Sequence, residues 1–66
     1  MAKTREIQCG SKNYTVKRYD DGVIGIFDAD GHMILGWPET TVFDGPEWAD
    51  RPTEDWCERL GRLRRL

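Results

Sequence analysis

His32 and the two cysteines, Cys9 and Cys57, are the side chains of this 66-residue sequence whose types most often do nucleophilic or metal chemistry. His32 follows Gly31 in "DADGH", a turn sequence, with no serine or cysteine nucleophile beside it. Catalytic partners need only meet in space, but no spacing in the chain brings a thiol to His32, so it reads as an exposed turn histidine. A structural zinc site takes four ligands, commonly in closely spaced Cys or His pairs. Two isolated cysteines and one histidine do not supply that pattern. "DADG" resembles the start of a calcium loop, yet Asp28, Asp30 and Gly31 lack the full spacing and the closing bidentate glutamate. A tight turn accounts for it better. Carboxylate pairs occur at Asp20 with Asp21 and Glu54 with Glu58, but acid–base catalysis needs one group desolvated and the other ionised. No catalytic residue, metal site or cofactor is predicted, and the chain reads as a non-enzyme.

The elements that must position any functional surface are short. "TREIQC" alternates polar and apolar residues, "GSKN" turns the chain, and Tyr14 to Tyr19 resumes as a second strand. "DDG" and "DADGH" then flank "VIGIF", with "MILGW" beyond, which predicts an antiparallel meander. Alternation puts Val23 and Phe27 on one face and Ile24 and Ile26 on the other, so both faces call for cover. Gly25 and Gly36 weaken strand interiors and signal a bulge, a bend or a close approach. "TTVF" reads as a fifth strand, and Asp44 with Glu47 as a capping-box variant opening a one-turn helix that carries Trp48, with Pro46 in its first turn. Trp56, Leu60 and Leu63 fall at i, i+4 and i+7 of a final helix with Thr53 at its N-cap; Gly61 interrupts it at a cost of about 1 kcal/mol. The expected fold is α+β: one domain, residues 1–66, with a four- or five-stranded antiparallel sheet and one C-terminal helix.

A domain of this length buries only about 60% of the surface its unfolded chain exposes. Three Trp, two Tyr and two Phe are the expected source of a sufficient core. "MAKTREIQCG" lacks the apolar segment of a signal peptide, and no apolar run reaches a membrane span, so a soluble, cytoplasmic protein is expected. Reduced, buried thiols at Cys9 and Cys57 follow from that expectation. A bridge would require the first strand to pack beside the last helix.

The net charge of −2 hides a segregation along the chain. Residues 1–19 hold five cations and one acid (+4), residues 20–58 eleven acids and Arg51 (−10), and residues 59–66 four arginines (+4), which sum to −2. Helix electrostatics explain Glu54, Asp55 and Glu58 near the start of the last helix and Arg62, Arg64 and Arg65 near its end. Turn chemistry explains Asp20, Asp21, Asp28 and Asp30. Glu39, Asp44, Glu47 and Asp50 are left beside Trp48 as a candidate patch. Fixed carboxylates attract a basic groove on another protein, and a tryptophan beside them supplies a buried anchor.

In size, absence of enzyme chemistry and the run of acids between Asp20 and Asp50, the chain resembles small phage-encoded nucleic-acid mimics of the anti-CRISPR or anti-restriction type. That resemblance implies an inhibitor whose acidic surface occupies a nucleic-acid-binding site on a partner, through Asp20, Asp21, Asp28, Asp30, Glu39, Asp44, Glu47, Trp48 and Asp50. "RYDDGVIGIFDADGHMI" also resembles one tyrosine–aspartate repeat of large bacterial secreted shells, through Tyr19, Asp20, Gly22, Asp28 and Gly31. Such arrays need stacked copies to bury a core, and one copy is present. Two alternatives stand beside the inhibitor. One is a structural module or homodimer pairing through the second sheet face or through Leu60, Leu63 and Leu66. The other binds nucleic acid directly through Lys3, Arg5, Lys12, Lys17 and Arg18, although Lys17 and Arg18 face opposite sides of a strand.

Overall fold

Phe43, Trp48 and Trp56 meet edge and face beneath one side of a sheet, and the chain is arranged around them. Phe43 stacks on Trp56 at 4.6 Å between centroids and 10° between planes. Trp48 meets Phe43 at 4.9 Å and Trp56 at 5.1 Å, both edge to face. These are the offset and T-shaped geometries that the aromatic quadrupole favours. The Trp56 indole N–H donates to the Trp48 carbonyl at 3.1 Å, which satisfies the one polar atom this cluster would otherwise bury unpaired.

A computed structural model describes residues 3–45 and 47–64, without the Arg64 side chain. Strands β1 (Lys3–Cys9), β2 (Lys12–Arg18), β3 (Ile24–Phe27) and β4 (Met33–Leu35) form an antiparallel sheet in the order β1-β2-β3-β4. Then come a 3-10 helix (Glu39–Phe43), the one-turn helix α1 (Glu47–Asp50) and the helix α2 (Thr53–Arg64). The fold is therefore α+β, a four-stranded meander followed by a C-terminal helix. Pairing of Ile7 with Tyr14 and of Val16 with Ile26 sets Ile7, Tyr14, Val16, Ile24 and Ile26 on one face, where they are buried with Leu60 and the aromatic trio. The α2 face of Trp56, Leu60 and Leu63 packs there, as its spacing predicts.

"TTVF" is not a fifth strand. Its residues lie in the 3-10 helix, where Thr41 donates both its N–H (3.0 Å) and its hydroxyl (2.8 Å) to the Pro38 carbonyl. Buried Thr40 donates its hydroxyl to the Ile24 carbonyl at 2.8 Å, pinning the segment under β3. Threonine hydroxyls that bond locally to backbone compete with a strand ladder. At α2, Thr53 is the first helical residue rather than the cap. Asp55 and Trp56 donate their N–H groups to the Pro52 carbonyl at 3.1 and 3.5 Å, so the helix opens from the proline backbone.

The expectation of reduced thiols is overturned: Cys9 and Cys57 form a disulfide with a Cα separation of 5.6 Å. The condition for a bridge is met because α2 packs along β1, carrying Cys57 to the end of that strand. Closing a loop across 48 residues of sequence removes entropy from the unfolded chain worth about 4 kcal/mol. In a core this small that is a large share of a typical total stability. Cys57→Ser, or reduction with dithiothreitol, will lower the free energy of unfolding in urea by about 3–5 kcal/mol. A change under about 1 kcal/mol would mean the bridge constrains little.

Gly61 is exposed, and a Cβ built there meets no heavy atom within 4 Å. Close packing does not explain this glycine, and nothing else in the structure does. Gly61→Ala will therefore raise stability by about 0.5–1 kcal/mol, read as a higher melting temperature without loss of helical circular dichroism.

Candidate protein-binding surface

The acidic turns are built by their own backbone chemistry. Between β2 and β3, Tyr19 and Val23 pair through a 2.9 Å bond, the Val23 N–H donates to Asp21 Oδ1 at 3.1 Å, and Gly22 takes a φ of 88°. Between β3 and β4, Asp28 Oδ1 accepts the N–H groups of Asp30 and His32 at 2.9 Å each, and Gly31 takes a φ of 86°. Aspartate suits these positions because its short carboxylate closes the turn, and glycine because φ is positive. His32 is exposed, with its Nδ1 3.8 Å from Asp28 Oδ2. Ligand atoms of Asp28, Asp30 and His32 lie within 4.8 Å of one another, but the Asp28 carboxylate is already engaged in holding the turn.

The nine residues singled out in the sequence do not form one patch. Asp28 and Asp30 stand at one end of β3 and Asp20 and Asp21 at the other, separated by four strand residues or about 13 Å. Asp21 and Asp44 share the rim of a shallow cleft with Arg18, Gly22 and Gly45. Asp20 borders a different cleft of about 430 Å³, among Lys3, Arg5 and Arg18, with Val16 and Trp56 also in its lining. Glu39, Glu47 and Asp50 are exposed on the 3-10 helix and α1. Trp48 is not a surface anchor. It is 5% exposed and covered by the guanidinium groups of Arg51 and Arg59, 4.6 and 5.9 Å from its ring. One helical turn carries both Glu47 and Trp48, and in so small a domain the larger apolar side chain is drawn into the core.

Arg5, Lys17, Arg18, Arg51, Arg59 and Arg62, by contrast, turn toward backbone, rings or local carboxylates, while Lys3 and Lys12 are exposed. Arg5 donates through Nη1 to the Ala49 carbonyl (2.9 Å) and through Nη2 to the Arg51 carbonyl (2.7 Å), and lies 5.8 Å from the Trp56 ring. Arg18 reaches the Phe43 and Gly45 carbonyls, both at 3.4 Å. The Phe43, Ala49 and Arg51 carbonyls lie where the short helices end and intrahelical donors run out, whereas the Gly45 carbonyl, just before α1, also accepts the Trp48 N–H at 3.3 Å. Lys17 lies 4.9 Å over the Phe27 ring on the opposite face from Arg18, as strand parity predicts. Arg51 and Arg62 pair with Asp55 and Glu58. Among the described residues, Asp21, Asp30, Glu39, Asp44, Glu47 and Asp50 have no ion-pair partner. Two of the five basic residues considered for nucleic-acid binding, Arg5 and Arg18, are thus committed to the fold. For the leucine stripe, Leu60 is buried in the core, Leu63 is partly buried against it, and Leu66 lies outside the described residues, as do Pro46 and Arg65.

Sequence reasoning missed Trp37, which is 70% exposed, and Met33, 56% exposed. "MILGW" reads as a strand throughout, whereas β4 ends at Leu35; the Gly36–Trp37–Pro38 step was the available sign that the chain leaves the sheet there. No helix among the described residues is long and apolar enough to cross a membrane. No protein-family model, no curated protein and no solved structure matches this chain.

Arg5→Gln will lower the urea midpoint by the equivalent of about 1–2 kcal/mol, because two backbone carbonyls lose a charged donor. Lys3→Gln, on the same strand, serves as the control and is expected to shift stability by no more than about 0.5 kcal/mol. Equal effects of the two substitutions would contradict the clamp role of Arg5.

Proposed function

We propose that the protein is a non-catalytic binding domain whose acidic surface occupies a basic, nucleic-acid-binding site on a partner protein. One observation carries this reading: Arg5, Lys17 and Arg18 of the strands, with Arg51, Arg59 and Arg62, are turned onto carbonyls, rings and local carboxylates, leaving Lys3 and Lys12 exposed at the ends of β1 and β2, whereas six carboxylates between Asp21 and Asp50 have no ion-pair partner among the described residues. Residues 20–52 carry eight acids and Arg51, a balance of −7. Such a field raises the rate of encounter with a basic groove and disfavours acidic partners.

Magnitude limits how far charge alone carries the domain. Duplex DNA bears one negative charge per about 1.7 Å, so a length equal to the 30 Å long axis of the protein carries about 18. The eight acids of residues 20–52 amount to less than half of that. Competition with nucleic acid therefore needs apolar contact in addition to charge. A cytoplasmic site of action belongs to the same proposal and carries a condition, because reducing compartments do not maintain ordinary disulfides. The domain must keep its bridge there or fold without it.

Affinity purification from cells with the wild type and with the triple variant Asp44→Lys, Glu47→Lys, Asp50→Lys tests the assignment. A nucleic-acid-binding protein held by the wild type, eluted by moderate salt and lost from a folded variant is the expected result. Retention of the same protein by the variant would remove the 39–50 segment from the interface.

A further inference from the structure

Two exposed side chains, Trp37 and Met33, lie outside every role described so far. Met33 pairs with Phe27 across β3 and β4, on the face opposite the helices. A Cβ at Gly25 would stand 3.1 Å from the Phe27 ring and 3.3 Å from Met33 Cε, and one at Gly36 would stand 3.0 Å from Met33 Sδ. The two glycines therefore let the Met33 thioether and the Phe27 ring lie down across the strand backbones. Lys17 flanks this floor from β2, and Trp37 follows Gly36 directly. Gly25 and Gly36, conspicuous as strand weakeners in the sequence, have this close approach as their physical reason.

We propose that Phe27, Met33 and Trp37 are the apolar anchor onto which a basic partner protein docks, which presupposes that the acidic turns face that partner. Large exposed apolar side chains grouped together mark interaction surfaces, and tryptophan is the residue most enriched among energetically dominant contacts. Methionine adapts its shape to what it meets. Charge decides the occupant. Asp28 and Asp30 follow Phe27 in the turn at one end of β3, Asp21 lies in the turn at its other end, and Glu39 is two residues beyond Trp37. A second copy docked on the same face would bring the Asp21, Asp28 and Asp30 turns of the two copies together, while Lys17, the cation beside the floor, is already held over the Phe27 ring. The fitting partner is a lysine- or arginine-rich segment that presents an aliphatic or aromatic side chain to the floor while its cations reach the turns.

Two synthetic peptides of equal length and equal lysine content test this, one alternating Lys with Leu and the other Lys with Ser, titrated into the full chain under NMR observation at physiological salt. The Lys-Leu peptide is expected to bind at least about tenfold more tightly than Lys-Ser, a difference of about 1.4 kcal/mol. It will shift the Met33 methyl and the Trp37 indole N–H, while Trp48 and Trp56, being buried, stay unmoved. The double variant Met33→Ala, Trp37→Ala removes exposed side chains, keeps the melting temperature, and will abolish the tenfold preference while leaving Lys-Ser binding unchanged. Equal binding of the two peptides, with shifts confined to the acidic turns, overturns the anchor and leaves the acidic reading standing. No binding of either peptide overturns both. A concentration-dependent dimer of the wild type, lost in the double variant, overturns the basic partner in favour of a second copy.

Discussion

Burial of two tryptophans and a phenylalanine in one cluster is the constraint on which the rest of this structure depends. The sheet alone offers five buried side chains on one face, too little for a domain of this size to stand on. Phe43, Trp48 and Trp56 come from three successive helical segments, so assembling them folds the chain from residue 36 onward back beneath the sheet. Everything between Gly36 and Pro52 is shaped by that need. The 3-10 helix delivers Phe43, a single α-turn delivers Trp48, and α2 delivers Trp56 with its indole N–H satisfied by the Trp48 carbonyl.

That crossing segment is too short for long helices, and the carbonyls of Phe43, Ala49 and Arg51, where its short helices end, run out of helical donors. The strands supply them: Arg5 and Arg18, paired in register with Val16 and Ile24, project onto the helix side of the sheet and close the ends of the turns above. The consequence is electrostatic as much as structural. Cations from a basic stretch of sequence are drawn toward the core's margin, and carboxylates from an acidic stretch are left facing water. In a nearly neutral chain, Asp20, Asp21 and Asp30 of the second and third hairpin turns are thereby left exposed.

The disulfide and the aromatic cluster fasten neighbouring residues of α2, Cys57 and Trp56, to the sheet. Arg5 and Trp56 hold the start of α2 to the sheet, and Cys57 with Cys9 joins it at the end of β1. The open face has no such cover. It carries polar residues across β1 and β2, whereas across β3 and β4 the Phe27 ring and the Met33 thioether lie flat over two glycines. A sheet face expected to need a second layer is instead partly covered by its own side chains, with Met33 and Trp37 still largely exposed.

Local chemistry was legible in the residues themselves. The hairpin turns at "DDG" and "DADGH", the meander they impose and the helical face of Trp56, Leu60 and Leu63 depend on spacings within one element or between neighbours, which is why the α+β fold could be read without coordinates. The acidic turns could likewise be placed, since an aspartate closing its own turn needs no distant partner. Tertiary structure alone decided the rest. "TTVF" has strand-like residues, but buried Thr40 found its acceptor in the Ile24 carbonyl of β3; Trp48 sat among acids in sequence, but the core claimed its indole; Cys9 and Cys57 were distant in sequence, but α2 lay along β1. In each case the outcome turned on which long-range contact was nearest in space, and one-dimensional spacing carries no information about that.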